Sequence, residues 1–290
     1  MINYKHSARV GLLFILPLLL FLLVYMVYPI IYNVQISLYD WNGIAKTKEF
    51  LGLENYRTLF SDQVFSITTR NFLYFALATV PVQCVFGILL ASMFRTKYFG
   101  RDLTKAVIFM PAMLSPIIIG AVFFRLLDPN IGYLKDVLKL IGIQGPLSDP
   151  KLAIWVIILV NIWQWTGYSM TLYYGTIVSI SDDMFDSAMI DGATPFQILW
   201  CIIVPFCRGT TYNLTIVGVI GALKQFDLVV ALTGGGPANA TQTFGTYLYQ
   251  VAFVNFRQGY SSAISIIMFL IALVITVLQL RAYNAKSLEV

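Results

Sequence analysis

The residues best suited to chemistry in this sequence are polar side chains inside a long apolar segment. Asn161, Gln164, Tyr168 and Thr171 recur at helical spacing on one face, and Trp165 lies beside them. Polar groups inside a membrane are costly and usually line a protein interior or an aqueous path. Amides and hydroxyls can satisfy sugar hydroxyls, and an aromatic ring can stack on the apolar face of a pyranose. Hydrogen bonding between helices is an equally good alternative, because polar stripes also serve that purpose.

Other reactive side chains are scarce. The single histidine, His6, lies near the N-terminus, and Cys84, Cys201 and Cys207 lie in or beside apolar runs without paired or metal-binding spacing. The sequence contains no G-x-x-x-x-G-K-[ST] loop and so supplies no nucleotide site of its own. We therefore expect a protein that is not an enzyme and that holds no metal or cofactor.

The composition indicates that these residues are carried by membrane helices. Only 11% of the 290 residues are charged, against roughly 25% in a soluble domain whose surface faces water. The net charge of +5 is not gathered into a Lys/Arg-rich run, which argues against a nucleic-acid partner. Most of the surface is therefore expected to face a lipid bilayer.

The apolar runs predict an all-α integral membrane protein with six spans in one domain, residues 1–290. A bilayer core of about 30 Å needs roughly 20 apolar residues in a helix. Runs of that length lie near residues 11–38, 71–94, 106–127, 152–177, 203–231 and 261–281. The first run is too long for a signal-peptide core and lacks a cleavage site. We expect it to remain as a span that is kinked at Pro17 and Pro29.

Basic residues predict the orientation of these spans. The short 95–105 loop carries four of them: Arg95, Lys97, Arg101 and Lys105. Such loops are usually cytoplasmic, and six spans then place both termini in the cytoplasm. The tails agree through their own basic residues, which are Lys5, Arg9, Arg281 and Lys286. The outer loops also carry positive charge, so the orientation rests mainly on the 95–105 loop.

The loop at 178–202 between the fourth and fifth spans predicts two short helices. Ser181 is a good N-cap for the first helix, and Gly192 can end it in a left-handed conformation. Thr194 and Pro195 are typical of the start of a second helix. A loop that only reconnects two spans needs no such pattern.

The same loop has the character of a docking surface. Phe185, Ala188 and Met189 share one face at helical spacing, beside four carboxylates: Asp182, Asp183, Asp186 and Asp191. An exposed apolar face of this kind favours a soluble partner. A helix lying on the membrane is the alternative, but anionic lipids would repel the aspartates.

Two pairs of opposite charges stand three residues apart near the outer ends of spans. Lys224 and Asp227 lie near the outer end of the fifth predicted span, and Arg125 and Asp128 lie at the outer end of the third. We interpret each pair as an ion pair in preference to a sugar-binding clamp.

The acidic loop also carries a known motif. Residues 186–193, continued to Pro205, resemble the cytoplasmic "EAA" loop of binding-protein-dependent ABC importer permeases. Five positions match that pattern: Ala188, Asp191, Gly192, Ala193 and Pro205. Two positions differ, because Asp186 replaces the usual glutamate and Ser187 the usual alanine.

Two further segments resemble the sugar-permease branch of this family. Residues 50–56, with Phe50, Gly52, Asn55 and Tyr56, look like its F-x-G-L-x-N-Y segment. Residues 232–237 are similar to the T-x-G-G-P outer loop of the maltose-type (F-type, multiple-sugar) branch. Three such segments, in the order in which the family carries them, argue against a chance match and against a different branch.

The resemblance implies a permease subunit of an ATP-driven sugar importer in a prokaryotic inner or plasma membrane. A second homologous permease would complete the pore, and a cytoplasmic ABC ATPase dimer that binds ATP and Mg would hold the coupling loop. An extracellular sugar-binding protein would deliver the sugar.

The resemblance also implies residues along the sugar path. Asn161 stands in a V-N-x-W segment whose asparagine contacts substrate in the maltose-type permease, and Gln164 and Trp165 follow it. Serine and asparagine contacts on the fifth span align with Gly218 and Ala222, so the sugar or its pose is expected to differ. The full predicted path is Asn161, Gln164, Trp165, Tyr168, Gly218, Ala222 and Gln225.

Three alternatives differ in class. A secondary transporter would show an internal repeat or acidic residues at mid-membrane, and neither is evident. A membrane enzyme would need a constellation of His, Cys or carboxylate groups. An ABC permease for a non-sugar solute is argued against only by the resemblance of the 232–237 loop.

Overall fold

A computed structural model describes residues 14–96 and 98–287, with side chains described as far as Arg281. Lys5, His6, Arg9, Lys97 and the side chain of Lys286 lie outside the described residues, as does the start of the first predicted span. Cα packing separates two compact units, residues 1–62 with 248–270 and residues 63–247 with 271–290. The single domain stays a prediction.

The first unit begins with a long apolar helix, α1 (Phe14–Ile36). A five-residue π-helical turn, Leu23–Val27, ends two residues before Pro29. Proline lacks the N–H that an α-helical turn requires, and a widened turn is a common way to accommodate such a break. After α1 come the antiparallel strands β1 (Tyr39–Asp40) and β2 (Glu49–Phe50) and the helix α2 (Glu54–Ser61).

The motif at residues 50–56 ties α2 to the chain that leaves α1. The buried Asn55 amide donates to the carbonyls of Ser37 at 2.8 Å and Tyr39 at 3.0 Å. The Tyr56 hydroxyl lies 2.7 Å from the Ser37 hydroxyl. Gly52 has a φ of +58°, a left-handed conformation that glycine adopts without strain. Within the first unit, this motif therefore has a structural role.

All the regular secondary structure described in the second unit is helical. Its helices are α3 (Gln63–Met93), α4 (Arg101–Met113), α5 (Pro116–Leu126), α6 (Lys135–Leu140), α7 (Ala153–Val178), α8 (Asp182–Ile190), α9 (Pro195–Phe206), α10 (Arg208–Leu223) and α11 (Asp227–Leu232). The helix α7 is central, because α3 and α4 both pack along it. Two more helices cross between the ranges of the two units: α12 (Phe244–Tyr249) and α13 (Gln258–Ser287).

Length and hydropathy alone qualify three described helices as membrane spans: α1, α3 and α13. The pair α4 and α5 adds a fourth if it counts as one span. The fourth predicted span corresponds to the 26-residue helix α7, and its Asn161 and Gln164 reduce its hydropathy. The second span starts at Gln63, well before the predicted residue 71.

The third predicted span, 106–127, is not one straight helix. The axes of α4 and α5 differ by 95° across a break at Leu114 and Ser115. Pro116 causes the break, because a residue before proline is disfavoured in the α conformation, and Ser115 is extended with ψ of 132°.

The fifth predicted span, 203–231, is also interrupted. Helix α10 ends at Leu223, and α11 begins at Asp227 after a non-helical Phe226 with φ of −141°. The carbonyl of Gln225 leaves the helical ladder and instead accepts the Thr243 hydroxyl at 2.6 Å. A side chain thus satisfies a backbone group that the break sets free.

Neither predicted ion pair forms. Among the ion pairs of the described residues, none joins Lys224 to Asp227 or Arg125 to Asp128. The Asp128 carboxylate instead accepts the backbone N–H groups of Asn130 at 2.8 Å and Ile131 at 3.1 Å. These two hydrogen bonds are the main reason that the pKa of Asp128 is lowered. Asp128 therefore caps a turn.

We predict that Asn55→Ala loosens the segment between β1 and β2. The substitution leaves two carbonyls without their donor, which costs about 1–3 kcal/mol. Trypsin cleavage at the exposed Lys46 should accelerate accordingly. Glu54→Ala is the matched control, since it removes only an exposed ion pair to Arg57, worth about 0–1 kcal/mol. Equal cleavage rates in the two variants would contradict the structural role.

Candidate functional site

The second unit contains a cavity of about 420 Å³ against the polar face of α7. This volume lies in the range of roughly 300–1,000 Å³ that is typical of small-molecule sites. All the residues of the predicted path line it: Asn161, Gln164, Trp165, Tyr168, Gly218, Ala222 and Gln225. Thr171 does not line it. Its hydroxyl donates to the Gly167 carbonyl of its own helix at 3.0 Å.

A glutamine from α3 orients the asparagine of the cavity. The buried Gln83 amide lies 3.2 Å from both the side-chain oxygen and the backbone carbonyl of Asn161. Both side chains line the cavity. Sequence reasoning missed Gln83, although a glutamine inside an otherwise apolar run is itself a signal of an interior polar site.

Gln164 presents an acceptor that the protein leaves unused. Its side chain is 1% exposed, and its amide nitrogen donates to the Leu114 carbonyl at 3.3 Å. Its Oε1 is buried and has no donor among the described protein groups. An unsatisfied buried amide oxygen is costly, so a donor that reached this oxygen from the cavity beside it would be favourable.

Aromatic rings form part of the cavity wall. The rings of Trp165 and Tyr168 pack edge to face with centroids 6.0 Å apart, and Phe75 and Phe226 add further apolar surface. Apolar walls with a few convergent polar groups are the usual make-up of a ligand site.

The α10 side of the cavity offers little polar chemistry. Gly218 and Ala222 carry no polar atoms, and a β-carbon at Gly218 would lie 2.7 Å from Cγ2 of Val80. A serine or asparagine at position 218 would therefore displace Val80. The polar groups on this side come from Lys224 and Gln225 in the linker after α10 and from Asp227 at the start of α11.

Both helix breaks lie at the cavity. Pro116 starts α5 and lines the cavity, while the Leu114 carbonyl before it binds Gln164. Gln225, in the break between α10 and α11, also lines it. Discontinuous helices of this kind mark the binding sites of many membrane transporters.

Hydrogen bonds hold the loop at 233–243, between α11 and α12, beside the second break. The buried Asn71 amide donates to the carbonyls of Ala240 and Gln242, both at 2.8 Å. Gly235 has a φ of +92°, and a β-carbon there would lie 2.7 Å from the Gln242 side chain. The glycines of this motif therefore permit a backbone path that other residues would block.

The acidic helix α8 exposes part of the predicted docking face. Asp186, Ser187, Asp191 and Gly192 are exposed, while Ala188 and Ala193 are half-buried. Phe185 is fully buried, so its predicted place on an exposed face with Met189 is wrong. The ring instead points into the helical core.

The turn after α8 follows the predicted chemistry in most respects. Gly192 has a φ of +80°, and Thr194 and Gln197 form a reciprocal capping box at the start of α9. Ser181 occupies the N-cap of α8, but its side chain makes no capping bond.

A shallow pocket of about 300 Å³ lies between the two short helices. It is lined by Ala188, Asp191, Gly192, Ala193, Gln197, Ile198, Cys201 and Ile202. Asp186 and Ser187 lie outside it, as does the half-buried Pro205 in the last turn of α9. Within residues 14–96 and 98–287, no group of three His, Cys, Asp or Glu side chains could hold a metal ion.

Comparison with known proteins gives a consistent result. The family model for the binding-protein-dependent transport system inner membrane component matches residues 83–285. The probable ABC transporter permease protein YurN of Bacillus subtilis is 32% identical over 98% of this chain and 99% of its own length. The multiple sugar-binding transport system permease protein MsmF of Streptococcus mutans is 28% identical over 97% and 96%, respectively.

A solved structure confirms the predicted fold class. A chain of a bacterial ABC transporter involved in the import of the acidic polysaccharide alginate superposes with a TM-score of 0.82. The match covers 97% of this chain and 98% of that chain at 23% identity.

We predict that the polar face of α7 is in contact with water and its opposite face is not. Tyr168→Cys, at the cavity, should react with a charged thiol reagent, because the reagent needs an ionised thiol. Leu159→Cys, on the exposed apolar face of the same helix, should not react in membranes. Both variants are made in a chain that lacks Cys84, Cys201 and Cys207. Similar labelling at the two positions would rule out an aqueous cavity.

Proposed function

Since the chain belongs to the family of binding-protein-dependent transport system inner membrane components, we propose that it forms half of the translocation path of an ATP-driven sugar importer. A chain of this family is a multi-pass membrane protein and the permease subunit of an ABC transporter. The sugar is the proposed cargo, as in the relative whose name refers to multiple sugars.

The observation that carries this proposal is the composition of the cavity. Asn161, Gln83 and Gln164 converge on one space of about 420 Å³, and Trp165 and Tyr168 supply its aromatic wall. Neutral amides can donate to and accept from hydroxyls at once. The unused acceptor of Gln164 is suited to a hydroxyl hydrogen of the passing sugar.

The rest of the transporter is proposed from the same reasoning. A second homologous permease would close the path, and an extracellular sugar-binding protein would deliver the solute. The helix α8 would lie in a cleft of a cytoplasmic ABC ATPase dimer, which binds ATP and Mg. Both termini and the 95–105 loop would then be cytoplasmic in a prokaryotic inner or plasma membrane.

The cargo can be identified by purifying the complex from native membranes through a tag on this chain. The captured binding protein is screened against mono-, di- and oligosaccharides and polyol phosphates. Tight binding of a sugar supports the proposal, and binding of a non-sugar solute only would replace it. Uptake that continues without any co-purified ATPase would favour a secondary transporter.

We predict that Asn161→Ala weakens uptake of that sugar while the complex still assembles. Loss of one hydrogen bond to the solute is worth about 0.5–1.5 kcal/mol, so the solute concentration for half-maximal uptake should rise by up to about tenfold. Asn130→Ala, at an exposed loop position, is the control and should transport normally. Normal uptake by Asn161→Ala would remove this residue from the path.

We further predict that Gly192→Val uncouples ATP hydrolysis from transport. No atom lies within 4 Å of a β-carbon at this site, so only the left-handed backbone resists the substitution. Valine is strongly disfavoured there, whereas asparagine tolerates the conformation. Gly192→Asn is therefore the matched control and should keep most coupling. The measurement is sugar transported per ATP hydrolysed in proteoliposomes; full coupling in Gly192→Val would refute the docking role.

A further inference from the structure

One arginine joins the end of α3 to the acidic helix α8. Arg95 lies just beyond the C-terminus of α3, and its guanidinium carbon is 3.4 Å from the centroid of the Phe185 ring. Its Nη2 also lies 3.0 Å from a carboxylate oxygen of Asp182. The Arg95 guanidinium therefore stacks on the face of the Phe185 ring, and one of its N–H groups donates to the Asp182 carboxylate.

The Phe185 ring is seated in the core of the helical unit. It has no exposed surface and packs in a cluster to which four other helices, α3, α7, α9 and α10, contribute. The residues of this cluster include Ala91 from α3, Met170, Tyr173 and Ile177 from α7, and Ile203 from α9. The ring thus anchors α8 from below, while Arg95 covers its outer face.

The two contacts of Arg95 differ in strength. The Asp182 side chain is 88% exposed, and ion pairs at such positions contribute little. The ring is fully buried and the Arg95 side chain is only 28% exposed. A cation on a desolvated aromatic face is held more strongly than one at an exposed site, so the stacking dominates.

The other basic residues described in this loop do not reach α8. Arg101 pairs with the neighbouring Asp102. The Lys105 ammonium pairs with Asp102 and lies 4.2 Å from the centroid of the Tyr174 ring on α7. Among the basic residues of this loop that the structure describes, Arg95 alone makes an ion pair or a cation–π contact with α8.

We propose that Arg95 is a positioning residue that latches α8 to the end of α3 by clamping the Phe185 ring. This inference rests on the proposed function, in which a motor subunit moves α8. Helix α3 runs without a break from Gln63 to Met93 and carries Gln83 at the cavity. A latched α8 delivers its displacement to α3, and hence to the amide that orients Asn161.

The latch predicts that the ends of α3 and α8 move as one body. Nitroxide labels are placed at the exposed Met93 and Met189 in the purified full transporter, after the three native cysteines are replaced. Distances are measured by pulsed electron spin resonance without nucleotide and with ATP and vanadate. The wild-type latch should give one narrow distribution with the same mean in both states.

Three variants separate the contacts of Arg95. Arg95→Ala should broaden the distribution and raise the separated population about tenfold, as expected for loss of a desolvated cation–π contact. Arg95→Lys should also loosen the latch, because an ammonium cannot stack as a plane. Asp182→Asn, which loses only the exposed pair, should remain narrow. Arg101→Ala is the matched control from the same loop and should behave as the wild type.

The outcomes distinguish the latch from the function on which it rests. A wild-type distribution in Arg95→Ala and Arg95→Lys overturns the latch, as does a wild-type pair that separates with nucleotide while the complex hydrolyses ATP. A complex that contains no ATPase and hydrolyses no ATP overturns the proposed function and the latch together. A merely structural role predicts loss of assembly in Arg95→Lys, without a loosened distribution in the assembled complex.

Discussion

The structure depends on how buried amide groups are satisfied inside an apolar helical unit. The Gln83 amide binds Asn161, so α3 and α7 share a polar contact where the surroundings are apolar. The Gln164 amide nitrogen donates a hydrogen bond to the Leu114 carbonyl. Its buried Oε1 accepts no hydrogen bond from any described protein group. The hydrogen bond to Leu114 holds the Gln164 side chain in place, and the unpaired Oε1 favours a ligand with a hydroxyl donor.

The helix breaks free backbone groups that are subject to the same constraint. A proline at 116 and a non-helical residue at 226 interrupt two helices beside the cavity, and each break frees a carbonyl. Gln164 binds one of these carbonyls and Thr243 the other. Irregular backbone at membrane depth is tolerated where protein groups or a cavity satisfy it. The cavity and its walls are therefore parts of one hydrogen-bonding arrangement.

The features that could be predicted from the sequence depend only on helical spacing or on the backbone conformation of a single residue. The stripe of α7 and the left-handed Gly192 are local, because helical spacing and glycine's backbone freedom fix them. Gln83 has only Thr79 as a polar neighbour at helical spacing along the cavity, and tertiary packing turns it toward Asn161. Phe185 has the right spacing for an exposed face, but Arg95 and the core helices bury it. The predicted pair of Arg125 and Asp128 does not form because backbone donors satisfy Asp128 first.

The most direct test is a cryo-electron microscopy structure of the assembled transporter, bound to the sugar that the screen of the captured binding protein identifies. The account predicts sugar density in the α7 cavity, with a hydroxyl within hydrogen-bonding distance of Gln164 Oε1 and the pyranose face against Trp165 or Tyr168. A sugar bound elsewhere, with the Gln164 acceptor satisfied by a protein donor from the partner subunit, would contradict it.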